Sequence, residues 1–194
     1  KVEPFEAVYE HESGMKIILA SLSVKELEKT DPERLVDFKK DFKKISDYVI
    51  VDSAAGLGDE ARSAMNMADE LIIVTNPEIP AITDALKTIK VAERMNKPVR
   101  GVIVTRVRND DLEMNPNLVK DMLEVPILGM IPEDDAVKKS INRKNAVVHT
   151  HPKSNASRAY KEIAAMLTNS HYNSKKDKES IFDKILKKFG IRKK

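Results

Sequence analysis

The chain has 194 residues, 41% of them hydrophobic and 34% charged, which suits one α/β domain with a tail rather than two full enzymatic domains. It contains no Cys and only four His, so a disulfide framework, a thiolate nucleophile and Cys-based zinc or iron–sulfur sites are excluded within it. The net charge of +3 is uneven: residues 174–194 hold nine Lys or Arg against three acids, and the remaining body is slightly acidic.

In chain order, four apolar runs rich in β-branched residues read as strands. They are residues 15–20 (MKIILA), 48–52 (YVIVD), 70–75 (ELIIVT) and 99–105 (VRGVIVT), followed by a shorter run at 126–131 (PILGMI). Their hydrophobicity is continuous rather than alternating, which predicts strands buried on both faces of a parallel sheet. Helical periodicity predicts helices at 32–45, 60–68, 79–95, 117–123, 136–142 and 156–167. Strands alternating with helices define an open, doubly wound α/β fold. The first 168 residues form the predicted domain, 169–179 a polar linker and 180–194 a basic amphipathic helix.

The segment from Tyr48 to Gly58 ends an apolar strand in Asp52 and continues through Ser53, Ala54, Ala55 and Gly56. A carboxylate at the carboxyl edge of such a sheet stands where ligands bind, and in nucleotide hydrolases it holds Mg²⁺, usually through water. Gly56 and Gly58 permit a mobile loop whose backbone can approach a γ-phosphate. A strand-ending Asp before a glycine turn is also common in purely structural loops. The polar ends of the later strands, Asn76-Pro77-Glu78, Thr105-Arg106 and Pro132-Glu133-Asp134, converge on one sheet edge. There Arg106 can stack on a purine, and backbone groups near Pro132 can read an adenine edge. Thr105-Arg106 and Pro132-Glu133-Asp134 read equally well as solvated loops, and Asn76-Pro77-Glu78 by itself reads better as an ordinary strand–loop–helix junction.

Taken in order, DSAAG, ADELIIVTNPE, GVIVTRVRN and PILGMIPEDDAVKKS closely resemble the MinD branch of the ParA/MinD family of deviant P-loop ATPases. The resemblance covers most of residues 15–168. It implies a P-loop NTPase fold and an ATPase that dimerises around ATP and Mg²⁺. It places Asp52 on the metal side and Gly56 in the catalytic switch. Thr105, Arg106, Pro132, Glu133 and Asp134 fall on the nucleotide side. One departure is Ala54, where the family often has Pro. Another is that none of the six glycines precedes a Lys, so the phosphate loop G-K-G-G-x-G-K-T/S does not occur in these residues. With Lys1 in place of an initiator Met, the chain reads as the C-terminal portion of an ATPase, N-terminally incomplete and inactive by itself. In the family fold the missing strand lies centrally, so apolar sheet edges are expected to be left unpaired.

In the tail, Ile181, Phe182, Ile185, Leu186 and Phe189 share one helical face, with Lys184, Lys187 and Lys188 opposite. Eleven residues rise about 16 Å, half of a bilayer core of about 30 Å, so this helix cannot span a membrane and suits an anionic membrane surface instead. A docked helix, a disordered tail or a DNA contact are the alternatives, and two Phe on the apolar face count against DNA. The expectation is a cytoplasmic, peripherally membrane-associated protein. It forms an ATP-dependent homodimer and meets an unidentified regulatory or cell-division protein, with no nucleic acid. A non-catalytic membrane adaptor and a ParA-like DNA-segregation ATPase are the rival readings.

Overall fold

In a computed structural model, residues 8–18, 36–53, 55–108 and 113–172 are described. The chain divides into two compact units, residues 1–69 and 70–194.

In the first unit, β1 (Val8–Glu10) pairs antiparallel with β2 (Lys16–Ile18). Gly14, at φ +81°, closes the turn between them, and His11 N–H donates to Met15 O at 2.8 Å. This corrects the expectation of a buried parallel strand at 15–20: of that run, 16–18 joins a local ribbon and Met15 and Ile18 stay exposed. Residues 48–52 are corrected too. They lie in no strand, and Ile50 is 92% exposed. An apolar run becomes a strand only where its backbone N–H and C=O groups meet a neighbour, and no described strand supplies one. Two helices follow the same order as predicted, α1 (Lys39–Ile45) and α2 (Asp59–Met67). Lys39 and Lys43 on α1 reach Asp69 at 2.7 and 2.9 Å. The hydrogen bonds from these two ammonium groups hold its carboxyl at about 2, outweighing the small opposing effect of desolvation.

The second unit is built on a parallel sheet in the order β3–β4–β5: β3 (Leu71–Thr75), β4 (Val99–Val107) and β5 (Ile127–Pro132). Between and after them run α3 (Ile79–Arg94), α4 (Pro116–Leu123), α5 (Asp135–Asn142), the short α6 (Val147–Thr150) and α7 (Asn155–Leu167). On one face Ile73, Val102, Val104 and Met130 pack with Ile82 and Ile89 of α3 and Val119 and Leu123 of α4. On the other, Ile131 and Ile103 pack with Ala156, Ala159 and Ile163 of α7. Helices on both faces make this the doubly wound α/β fold that the alternation predicts.

Gly129 is what lets α7 lie on β5, because a Cβ there would stand 2.4 Å from Ile163 Cγ1. The covering stops short of β3, whose Val74, on the α7 side, is 63% exposed. Among the described residues, the outer edge of β3 has no partner strand.

Candidate nucleotide site at the carboxyl ends of the strands

Because β3, β4 and β5 are parallel, the segments that follow them emerge on one rim, where ligands bind in open α/β sheets. Thr105 lies half-buried within β4 rather than after it, and its hydroxyl donates to Thr75 O at 3.1 Å, tying β4 to β3. The ladder to β5 then breaks. Val104 pairs with Met130 and Val107 with Pro132, so Thr105 and Arg106 form an irregularity in the register.

Arg106 sits there at φ +57°, in the left-handed region that an L side chain rarely adopts. It is exposed and has no hydrogen-bond or ion-pair partner among the described residues. Irregularities of this kind cluster at sheet rims and re-aim side chains, and strained backbone persists where something else requires it. Beside it, Asn76 Oδ1 is buried with no partner among the described residues. A planar cation, a hydroxyl and an unfilled acceptor on one rim fit the nucleoside part of a nucleotide.

Pro132 ends β5, and Glu133 N–H donates to Val107 O at 3.0 Å. The Glu133 carboxylate is engaged by Arg108 Nε at 3.2 Å and Lys138 at 3.4 Å, which leaves backbone as its offering to a ligand. Asp134 is bound more tightly still. Its Oδ1 accepts from Ala136 N at 2.9 Å, capping α5, and its Oδ2 accepts from Ala156 N at 3.2 Å in the first turn of α7. Burial pushes its carboxyl up, but the N–H groups of Ala136, Ala156 and Asn155 and the Ser154 hydroxyl outweigh this and hold it below the usual carboxylate range.

Asp134 therefore braces two helices at the rim. Asp134→Ala is expected to lower stability by about 1–2 kcal/mol, as loss of a helix cap does. A carboxyl with a lowered folded pKa stabilises fully above its ordinary value, and the effect fades as pH falls through the folded one. Urea unfolding at neutral pH and in acid checks this: the gap between wild type and Asp134→Ala should be full at neutral pH and close only in acid.

In the first unit, Asp52 is exposed and outside any helix or strand, with no hydrogen-bond or ion-pair partner among the described residues. Gly56 has φ +97° and open space where a Cβ would lie, so conformation rather than crowding demands glycine there. Among the described residues no cluster of three or more His, Asp or Glu could hold a metal. A Mg²⁺ that keeps most of its water and takes one carboxylate requires no such cluster, and Asp52 fits that role. Ala54 and the tail residues Ile181, Phe182, Lys184, Ile185, Leu186, Lys187, Lys188 and Phe189 lie outside the described residues. Among the described residues no helix is long and apolar enough to cross a membrane.

The sequence puts Asn76 and Arg108 in strand-end segments, but the buried Oδ1 of one and the carboxylates around the other are legible only in the fold. Sequence reasoning assigned Asp134 to the ligand, although an Asp just before a predicted helix is itself a cap signal.

Residues 37–168 match the ParA family described as the NUBPL iron-transfer P-loop NTPase. An uncharacterized ATP-binding protein of Methanocaldococcus jannaschii is 37% identical over 189 residues, which cover 96% of this chain and 72% of that protein. The septum site-determining protein MinD of Pyrococcus horikoshii, solved with Mg-ADP, superposes with a TM-score of 0.81 at 28% identity, covering 86% of this chain and 69% of that one. MinD of Aquifex aeolicus, solved in a MinC:MinD cell-division complex, superposes with a TM-score of 0.77 at 27% identity, covering 91% and 72%. The chain belongs to the ParA/MinD family of P-loop NTPases. Within that family it is MinD-like.

Proposed function

We propose that the protein is a MinD-like ATPase. It binds ATP with Mg²⁺, dimerises on doing so, attaches to anionic membrane through its C-terminal helix, and positions the division site or another polar structure. The observation that carries the nucleotide reading is Arg106, held left-handed at a register break beside Thr105 and without a partner among the described residues. Thr105, Arg106 and backbone at Pro132 and Glu133 would hold the nucleoside. Asp134 would fix the rim's shape, Asp52 would sit on the Mg²⁺ side, and Gly56 would give the switch its freedom. Bound Mg²⁺ supplies charge neutralisation for phosphoryl transfer. These 194 residues contain no Gly-Lys step from which to build a phosphate loop, so by themselves they are proposed not to hydrolyse ATP.

The membrane part rests on the tail's pattern of five apolar residues against Lys184, Lys187 and Lys188. A helix worth about 4–5 kcal/mol binds lipid only near the millimolar range. Two such helices on one dimer act through effective concentration and gain about 10²–10⁴-fold. ATP-driven dimerisation would then switch attachment, which makes a weak helix useful. The partner is proposed to be a regulatory or cell-division protein, and the setting the cytoplasmic face of the membrane.

The test is co-sedimentation of full-length protein with anionic vesicles. Binding should be strong with ATP and weak with ADP or no nucleotide. Binding that ignores the nucleotide would support an adaptor instead, and ATP-dependent binding to DNA but not to vesicles a segregation ATPase.

A further inference from the structure

Arg106 and Arg108 stand two residues apart, yet they meet different surroundings. Arg106 has no partner among the described residues, whereas Arg108 lies among three carboxylates. Its Nε is 3.2 Å from Glu133 and 3.9 Å from Glu113, and its Nη2 is 3.9 Å from Glu78. Its own backbone N–H donates to Glu113 Oε1 at 2.7 Å, and the Glu113 side chain is only 5% exposed. Glu78 follows β3, Glu133 follows β5, and Glu113 precedes α4. One guanidinium at the end of β4 therefore gathers segments from three separate parts of the chain.

We propose that Arg108 is a positioning residue for the nucleotide site. It holds the loops after β3 and β5 in register at the rim, and Arg106 is left to face the ligand. The proposal rests on the nucleotide reading above.

Two arguments separate holding from binding. Among the described residues the Arg108 guanidinium is already engaged by Glu78, Glu113 and Glu133, so it is not a free cation offered to a triphosphate. The Arg108 side chain is also 54% exposed, and ion pairs that open to water contribute little to stability. What the cluster supplies is geometry. Without the guanidinium, Glu78 after β3 and Glu133 after β5 lose the cation they share, and the loops carrying the rim separate.

The experiment measures ATP affinity of full-length protein by calorimetry, with thermal unfolding in the absence of nucleotide. Arg108→Gln should weaken binding about tenfold, within the range seen for coupled neighbours, while the unfolding midpoint moves little. Arg108→Lys, which keeps the charge and loses the fork, should lie between. The telling variant is Arg108→Gln with Glu133→Gln. Removing one of the two carboxylates that the guanidinium had held together relieves their repulsion and should recover much of the lost affinity, which a purely structural loss or a lost ligand contact would not allow. Arg106→Ala should show no such recovery.

Wild-type affinity in Arg108→Gln overturns the proposal. So does a loss that Glu133→Gln leaves unchanged. A wild-type protein that binds no ATP overturns the nucleotide reading first, and the proposal with it.

Discussion

Arg106→Ala in the full-length protein is expected to weaken ATP binding by about 10–100-fold and to leave the unfolding midpoint where it was. The magnitude is what one charge-assisted contact contributes, about 1.5–3 kcal/mol. The unchanged midpoint follows from the side chain's exposure and its lack of a partner among the described residues. Arg106→Gly sharpens the expectation. At φ +57° glycine relieves a strained backbone, so this variant should be more stable than wild type by about 1 kcal/mol while losing the same affinity. Opposite signs in one residue distinguish a ligand-facing arginine from a structural one. Calorimetry with ATP and a thermal melt of each variant decide it; a destabilised Arg106→Gly that still binds ATP would show that the register break serves packing.

Replacing Phe182 and Phe189 together with Glu removes vesicle binding. Each Phe buried in the interface is worth about 1.5–3 kcal/mol, and each new carboxylate is repelled by anionic lipid. Two tails per dimer multiply the loss, so at least a hundredfold fall is expected. ATP binding should be unaffected, because the predicted linker at 169–179 separates the tail from the domain. The cations steer and the apolar face holds, so salt should weaken wild-type binding without abolishing it. Sedimentation of wild type and variant with phosphatidylserine vesicles, at low and high salt, checks both parts. Equal sedimentation would remove the tail from the account.

The sheet was legible where the strands are partnered. The runs at 70–75, 99–105 and 126–131 fall within two residues of β3, β4 and β5, because continuous apolar hydrophobicity marks strands covered on both faces. The same pattern misled at 48–52 and 15–20. Composition reports that a segment can enter a sheet, whereas entering one depends on a neighbour that the local sequence does not name.

At the rim, residue types pointed to strand ends but not to what each side chain touches. Neither Gly nor Asn announces the left-handed position at 106, so the end of β4 was read two residues short. Asp134 was read as facing a ligand because its second bond comes from Ala156, 22 residues along the chain. Arg108 reads from the sequence only as part of the loop after β4, for the same reason: Glu78 and Glu133 lie on segments that only the folded sheet brings together.

ATP is proposed to lie at the carboxyl ends of β4 and β5. Photolabelling of full-length protein with an azido-ATP carrying the reactive group on the base, followed by peptide mapping, tests this most directly. The account predicts labelling within residues 105–108 or 131–134, abolished by excess ATP and reduced in Arg106→Ala. Labelling confined to other segments, or labelling that excess ATP does not displace, would contradict it.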